Sequence, residues 1–221
     1  MCVAESITID GPAASGKTIV GKLLAQRLGY KFLDTGNMYR AITWGAISHD
    51  IKMDDFNSLS KLASTINVVY TNNQNDCDFI LDGENITKYL RNNVVDQNVS
   101  TISKLSKVRT VLVDKQRTIA KAESVVMVGR DIGTVVLTNA ALKIFLLASV
   151  EIRARRRFSE LHNNNRQLTL GDVVDDLTRR DNIDKQRSHS PMRPAKDAIK
   201  INTDNLDINE VVEKILVLVD H

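Results

Sequence analysis

At 221 residues, 43% hydrophobic and 26% charged, the chain is long enough to bury the core of one α/β domain with inserts. Its formal charge of +3 and pI near 8.8 are too mildly basic to argue for a nucleic-acid partner. Two distant cysteines, Cys2 and Cys77, and four scattered histidines argue against a disulfide framework or a Cys/His metal centre. The residues around Glu5 do not read as a signal peptide. The most apolar stretch, 135–150, is interrupted by Thr138, Asn139 and Lys143. The expectation is a cytoplasmic protein that engages no membrane.

Ser6-Ile7-Thr8-Ile9-Asp10 has the β-branched density of a buried parallel strand. The run Gly11-Pro12-Ala13-Ala14-Ser15-Gly16-Lys17-Thr18 follows it and fits G-x-x-x-x-G-K-[ST]. Val20, Leu23, Leu24 and Leu28 then recur at helical spacing until Gly29. Strand, glycine loop and helix come in the order that aims free N–H groups and a partial positive charge at a phosphate. Lys17 would reach the β/γ-phosphates.

Tyr30–Leu33 reads as a second strand ending at Asp34-Thr35-Gly36, followed by a helix with Tyr39, Ile42, Trp44, Ala46 and Ile47 as its apolar side. Arg40 is expected in the first turn of that helix, where it opposes the dipole and so serves something other than helix stability. From Asn67 the pattern turns to β. Val68–Tyr70 and Phe79–Leu81 are joined by a polar loop, 71–78, and Asp82-Gly83 is a tight-turn signal before Glu84–Ile86. A small antiparallel sheet inserted at about 66–96 is a common place for a substrate-closing subdomain.

Residues 104–121 form a charged amphipathic stretch with Leu105, Val108, Leu112 and Ile119 on one side. Ser124–Val128 is the most continuous buried-strand signal, and it ends in Gly129-Arg130-Asp131. Ligands of open parallel sheets lie beyond the carboxyl ends of strands, which directs attention to Arg130 and Asp131. A further strand is expected at Lys143–Leu147. In the helical stretch after it, Arg153, Arg156 and Arg157 share one face and Arg155 points away; the polar run 162–167 then reads as a loop. Arg180, Asp184 and Arg187 form a second stripe, whose bland reading is a solvated face with an i,i+4 ion pair. A last strand at 198–201 and a closing helix complete the chain. The helix begins at a capping box of Asp207 and Glu210 and has Ile208, Val211, Val212, Ile215, Leu216 and Val219 as its apolar face.

The phosphate loop alone leaves a GTPase switch, a motor ATPase and a small-molecule kinase open. No D-x-x-G or N-K-x-D occurs, and the apolar strand closes on a cation where a motor ATPase would place acidic residues. The arginines suit an anionic acceptor. Two like charges ~4 Å apart repel by roughly 4 kcal/mol at an effective dielectric near 20, and bidentate guanidinium groups offset such repulsion while aligning phosphate oxygens. A phosphate acceptor needs no general base, because it is largely dianionic at neutral pH.

Residues 7–18, 34–40 (D-T-G-N-M-Y-R), 129–136 (G-R-D-I-G-T-V-V), 180–187 (R-D-N-I-D-K-Q-R) and 190–198 (S-P-M-R-P-A-K-D-A) together resemble the bacterial cytidylate kinases. The likeness spans almost the whole chain. It implies a three-layer α/β/α P-loop fold with a central parallel sheet, forming one kinase domain over 1–221. An antiparallel-sheet nucleoside-monophosphate-binding insert would lie at about 66–96 and a lid at about 153–167. It also implies transfer of the γ-phosphoryl group of ATP, with Mg²⁺, to CMP or dCMP, by a monomer. Gly11 to Thr18 would hold the ATP phosphates, with Thr18 near Mg²⁺. Thr35, Arg40, Ser100, Arg109, Arg130, Asp131, Arg180, Asp184 and Arg187 would bind the monophosphate substrate. Lys17, Arg130, Arg187 and the lid residues Arg153, Arg156 and Arg157 would stabilise the transferring group. A kinase for UMP or another monophosphate, and a non-catalytic nucleotide-binding regulator, remain the alternatives.

Overall fold

A computed structural model describes residues 4–70, 76–162, 168–187 and 190–219. Cys2, the 71–75 part of the loop expected at 71–78 and the 163–167 part of the predicted lid lie outside the described residues. Five strands form a parallel sheet: β1 (Ser6–Asp10), β2 (Lys31–Asp34), β6 (Val125–Gly129), β7 (Leu142–Leu147) and β8 (Ile199–Asn202), in the order β2-β6-β1-β7-β8. Three more, β3 (Asn67–Tyr70), β4 (Cys77–Leu81) and β5 (Glu84–Asn85), make a separate sheet in the order β3-β4-β5, with antiparallel pairing throughout. The chain divides into two compact units. One contains Ala25–Met127 and the segment before Ile7; the other contains Ile7–Leu24 and Val128 onward.

In the first unit, α2 (Thr35–Ser48) packs against α3 (Phe56–Thr65), α4 (Asn93–Ile102) and β4, and α3 packs against α5 (Ser106–Ala122). Asp34 caps α2 by accepting the Gly36 N–H at 3.0 Å, so the helix begins at Thr35. Arg40 is therefore its sixth residue, in the second turn, not the first turn expected from sequence. Gly45 allows the close approach of α2 to its neighbours: a Cβ there would lie 2.7 Å from Leu81 Cδ2 and 3.1 Å from Leu62 Cδ2. The expected tight turn is present, with φ of +50° at Asp82 and +83° at Gly83, the doubly positive conformation of a two-residue hairpin loop. The sequence reading passed over α3 and α4, although each carries a cap. Asp55 accepts the Ser58 N–H at 3.0 Å, and Asn92 accepts that of Val95 at 2.8 Å.

In the second unit, β1 is buried on both faces from Ile7 to Asp10 and pairs in parallel with β7, which pairs in parallel with β8. α1 (Lys17–Leu28) starts directly after the glycine loop, and α6 (Val150–His162) packs on α7 (Leu170–Lys185). Ala13 of the loop joins Ala154, Val173 and Leu177 in one apolar cluster. After β6 the chain makes a π-helical turn over Ile132–Val136, in which the Leu137 N–H donates to the Ile132 carbonyl at 2.8 Å. α8 (Ile208–Val219) closes the chain with the expected capping box, the Asp207 N–H donating to Glu210 at 2.8 Å and the Glu210 N–H to Asp207 at 2.9 Å. Its buried face is Val211, Val212 and Ile215; Ile208, expected on that face, is 40% exposed.

Candidate active site

The glycine loop is shaped by its backbone. Gly11 has φ +150°, and a Cβ there would collide with the Leu146 carbonyl oxygen and sit 3.2 Å from Ser15 Oγ. Gly16 has φ +90°, and even Ala14 takes φ +58°, a left-handed conformation that an L side chain adopts only when its surroundings enforce it. The Lys17 ammonium is buried within this curl, its Nζ donating to the Pro12 carbonyl at 2.5 Å and to Ser15 Oγ at 3.3 Å. Thr18 is exposed in the first turn of α1, where its hydroxyl sits beside the N-terminal positive end of the helix. A single hydroxyl of this kind suits Mg²⁺, which keeps several waters and takes most of its protein-side contacts through substrate phosphates. Among the described residues no group of three His, Cys, Asp or Glu side chains could hold a metal on its own.

The same unit carries a second concentration of charge. Asp184 of α7 is 6% exposed; one carboxylate oxygen accepts Arg130 Nε at 2.7 Å, and the other accepts Arg187 Nη2. One buried carboxylate thus gathers two of the arginines expected to hold phosphate. The bland reading of the 180–184–187 stripe fails here, since Asp184 is not solvated and Arg180 pairs with Asp176 instead, at 2.9 Å. The Met192 N–H donates to the Asp184 carbonyl at 2.8 Å, fixing the 190–198 segment to the end of α7.

The three arginines expected in the lid have different surroundings. Arg153 is 5% exposed, with Nε on the Ala148 carbonyl at 3.0 Å, Nη1 on the Ala13 carbonyl of the glycine loop at 3.1 Å and Nη2 on Asp181 at 2.8 Å. Arg156 donates to the Thr203 hydroxyl at 3.1 Å and its carbonyl at 2.6 Å, beside the end of β8. Arg157 pairs with Glu160 at 2.9 Å, one helical turn on. Arg155 is exposed, as its position on the opposite face requires.

The first unit positions four more predicted residues. Thr35 is buried at the start of α2. Arg40 donates to the Leu90 carbonyl at 3.2 Å and pairs with Asp96 of α4; burial pulls its guanidinium below the usual arginine range, partly offset by Asp96. Arg109 is 5% exposed on α5, donates to the Ser103 carbonyl at 3.3 Å and lies 5.5 Å from the centroid of the Tyr39 ring. Ser100 is half-buried on α4, and its carbonyl accepts the Ser103 hydroxyl. Arg40 and Arg109 are thus each held against a carboxylate, a carbonyl or a ring, which fixes the direction of the guanidinium.

The residues that sequence reasoning missed are mostly the acidic partners. Asp96 and Asp181 left no signal, because their spacing from Arg40 and Arg153 means nothing until the helices are docked; Asp176 did leave one, standing four residues before Arg180 on the same helix. Asp10 left another: a carboxylate ending a strand that is otherwise β-branched and buried. Its two oxygens accept the Ile132 N–H at 2.9 Å and the Gly133 N–H at 2.8 Å, directly after Arg130-Asp131.

A family model described as cytidylate kinase matches residues 7–221. Proteins named cytidylate kinase from Alkaliphilus oremlandii and Clostridium botulinum are 42% and 39% identical to the chain over 210 and 214 residues, covering 95% and 97% of both partners respectively. One from a Geobacillus strain is 42% identical over 214 residues, covering 97% of this chain and 96% of its own. The crystal structure of an uncharacterised protein from Eubacterium ventriosum shares the fold, with a TM-score of 0.51, 14% identity and 98% of each chain covered.

Proposed function

The chain belongs to the cytidylate kinase family, and from that premise we propose how its residues transfer a phosphoryl group from MgATP to CMP or dCMP, giving ADP and CDP or dCDP. The observation that carries the assignment of roles is the presence, in one compact unit, of the phosphate loop Gly11–Thr18 and the Arg130–Asp184–Arg187 cluster. The first suits a donor polyphosphate, and the second suits the phosphate of an acceptor.

Gly11, Pro12, Ala13, Ala14, Ser15 and Gly16 supply the backbone cradle for ATP. Lys17 exchanges its Pro12 and Ser15 contacts for phosphate oxygens, and Thr18 would hold the Mg²⁺ that accompanies ATP, which would neutralise charge on the phosphates. Arg40, Arg130 and Arg187 hold the acceptor phosphate, Arg180 and Asp184 meet the sugar, and Ser100, Arg109 and Asp131 read cytosine, with Thr35 at the same substrate. Arg156 and Arg157, with Arg153 braced behind the loop, neutralise the transferring group from the lid at 153–167. The insert at 66–96 serves the monophosphate side of a single P-loop kinase domain. The acceptor oxygen is already a nucleophile, so the protein's work is positioning and charge stabilisation with water kept out. We expect a cytoplasmic monomer; no helix among the described residues is long and apolar enough to cross a membrane.

Steady-state kinetics with MgATP and CMP, dCMP, UMP or AMP tests the reading. The expected order places both cytidine nucleotides above UMP and AMP in kcat/KM. A preference for UMP or AMP overturns the acceptor assignment, and absence of ADP formation with every acceptor would make the protein a nucleotide-binding regulator.

A further inference from the structure

Asp10 is 3% exposed, yet nothing in the transfer chemistry uses it. Its carboxylate joins two parts of the site: Gly11 follows it in sequence, and the turn that follows Arg130-Asp131 hangs from its oxygens. Oδ1 accepts the Ile132 N–H at 2.9 Å and Oδ2 the Gly133 N–H at 2.8 Å. Two consecutive backbone donors converging on one anion form a concave, partly positive pocket that an ionised carboxylate fills with two strong, charge-assisted acceptors. The same turn is π-helical, a rare conformation that occurs mostly as single turns and is frequent at functional sites. It is also tightly seated. A Cβ on Gly133 would lie 3.0 Å from Thr8 Oγ1 and 3.3 Å from Lys143 Cδ, and Thr8 Oγ1 is itself buried with no hydrogen-bond partner.

We propose that Asp10 is a positioning residue, whose ionised carboxylate fixes the backbone at 131–133, aims Arg130 and Asp131, and thereby sets the affinity for the acceptor nucleotide. The proposal rests on reading Arg130 and Asp131 as acceptor-binding. Protonation removes the charge from both hydrogen bonds and leaves one of them on a hydroxyl oxygen, a weaker acceptor, so the clamp slackens. Burial pushes this carboxyl up to about 6; the two backbone N–H groups oppose the rise, Asp131 adds to it and Lys17 pulls against it. The other charge packed against the turn, Lys143, keeps its ammonium on the Thr138 carbonyl and Asp197, at 2.5 and 2.6 Å. The acceptor site is therefore intact at neutral pH and loosens within about one to two pH units of it.

The experiment compares wild type and Asp10→Asn from pH 5 to 8, reading kcat, KM for each substrate and calorimetric CMP binding. The asparagine amide nitrogen cannot accept, so the variant lacks both the charge and one of the two acceptors, whereas protonation removes the charge and weakens one acceptor. At pH 8 Asp10→Asn is expected to raise KM and Kd for CMP roughly tenfold with KM for ATP within about twofold. The wild-type CMP affinity should fall below about pH 6 toward the variant's value. The substrate phosphate also titrates with a pKa of about 6, but identically with both proteins, so only the difference between their profiles is read. Parallel profiles, or CMP and ATP affected equally, overturn the proposal. Should Asp10→Asn not fold, Gly133→Ala tests the same turn with Asp10 intact. It is expected to weaken CMP by a similar factor, and adding Thr8→Ala, which removes the obstructing hydroxyl, should recover part of the loss. Unchanged CMP affinity in Gly133→Ala also overturns it. The comparison runs on whichever monophosphate the wild type phosphorylates best, so a UMP preference sinks the acceptor reading alone, and identical profiles sink the role of Asp10 alone.

Discussion

Arg187 and Arg155 differ in what surrounds them more than in what they are. Arg187 has a side chain 7% exposed and ends on Asp184, which also holds Arg130. Arg155 is exposed on α6. A guanidinium that is dry, oriented and paired with an anion can exchange that anion for a phosphate without reorganising solvent, and such preorganised donors are worth far more in a transition state than solvated ones. Arg187→Ala is accordingly expected to lower kcat by roughly 10²- to 10³-fold. Arg155→Ala should stay within about threefold of wild type, as surface substitutions do. Steady-state turnover, with far-ultraviolet circular dichroism to confirm the fold, checks both. Equal effects would return the 180–184–187 stripe to an ordinary structural role.

Helices α6 and α7 meet through Arg153 and Asp181, with side chains 6% and 8% exposed and 2.8 Å apart. The same guanidinium holds the Ala13 carbonyl, so this pair ties the glycine loop to the helix that carries Arg180 and Asp184. Removing one partner of a buried pair strands the other, which typically costs about 3–5 kcal/mol, whereas replacing both by apolar side chains costs far less. Asp181→Asn should therefore lower Tm by roughly 10 °C. Arg153→Met with Asp181→Leu should recover at least half of that, as read by calorimetry of the single and double variants. None of this pairing was legible in sequence, because the partners lie on different helices and only docking joins them. What was legible is what local chemistry dictates: the β1–loop–α1 order, the Asp82-Gly83 turn, the continuous strand before Arg130 and the split between Arg155 and its neighbours. Helices α3 and α4 escaped the periodicity reading for a physical reason. They are ten residues each, and α4 carries Val94, Val95, Val99 and Thr101, which favour strands in isolation. Only their caps and their packing against α2 and α5 make them helical.

At the scale of the molecule, the buried Asp10 has a consequence opposite in sign to its proposed role in the site. Its carboxyl is raised from 3.8 to about 6 in the folded protein, so between those values the native state binds the proton that the unfolded chain releases. The stability that this proton supplies is complete below about pH 4 and is lost as pH rises through 6, amounting to about 3 kcal/mol if the full shift is realised. Asp55, Asp172 and Asp197 act the other way, since hydrogen bonds from Ser58, Thr169 and Lys143 lower them and their contribution fades as the solution becomes acid. Raw stability against pH is therefore a sum of opposed slopes, and the difference between wild type and Asp10→Asn isolates the buried group. Urea unfolding at half-unit steps from pH 4 to 8 is expected to show wild type losing stability relative to the variant between pH 4 and about 6.5, then running parallel to it. A flat difference across that range would mean that the Asp10 carboxyl titrates near its unfolded value, and that the fold maintains this buried charge at neutral pH with no loss of stability.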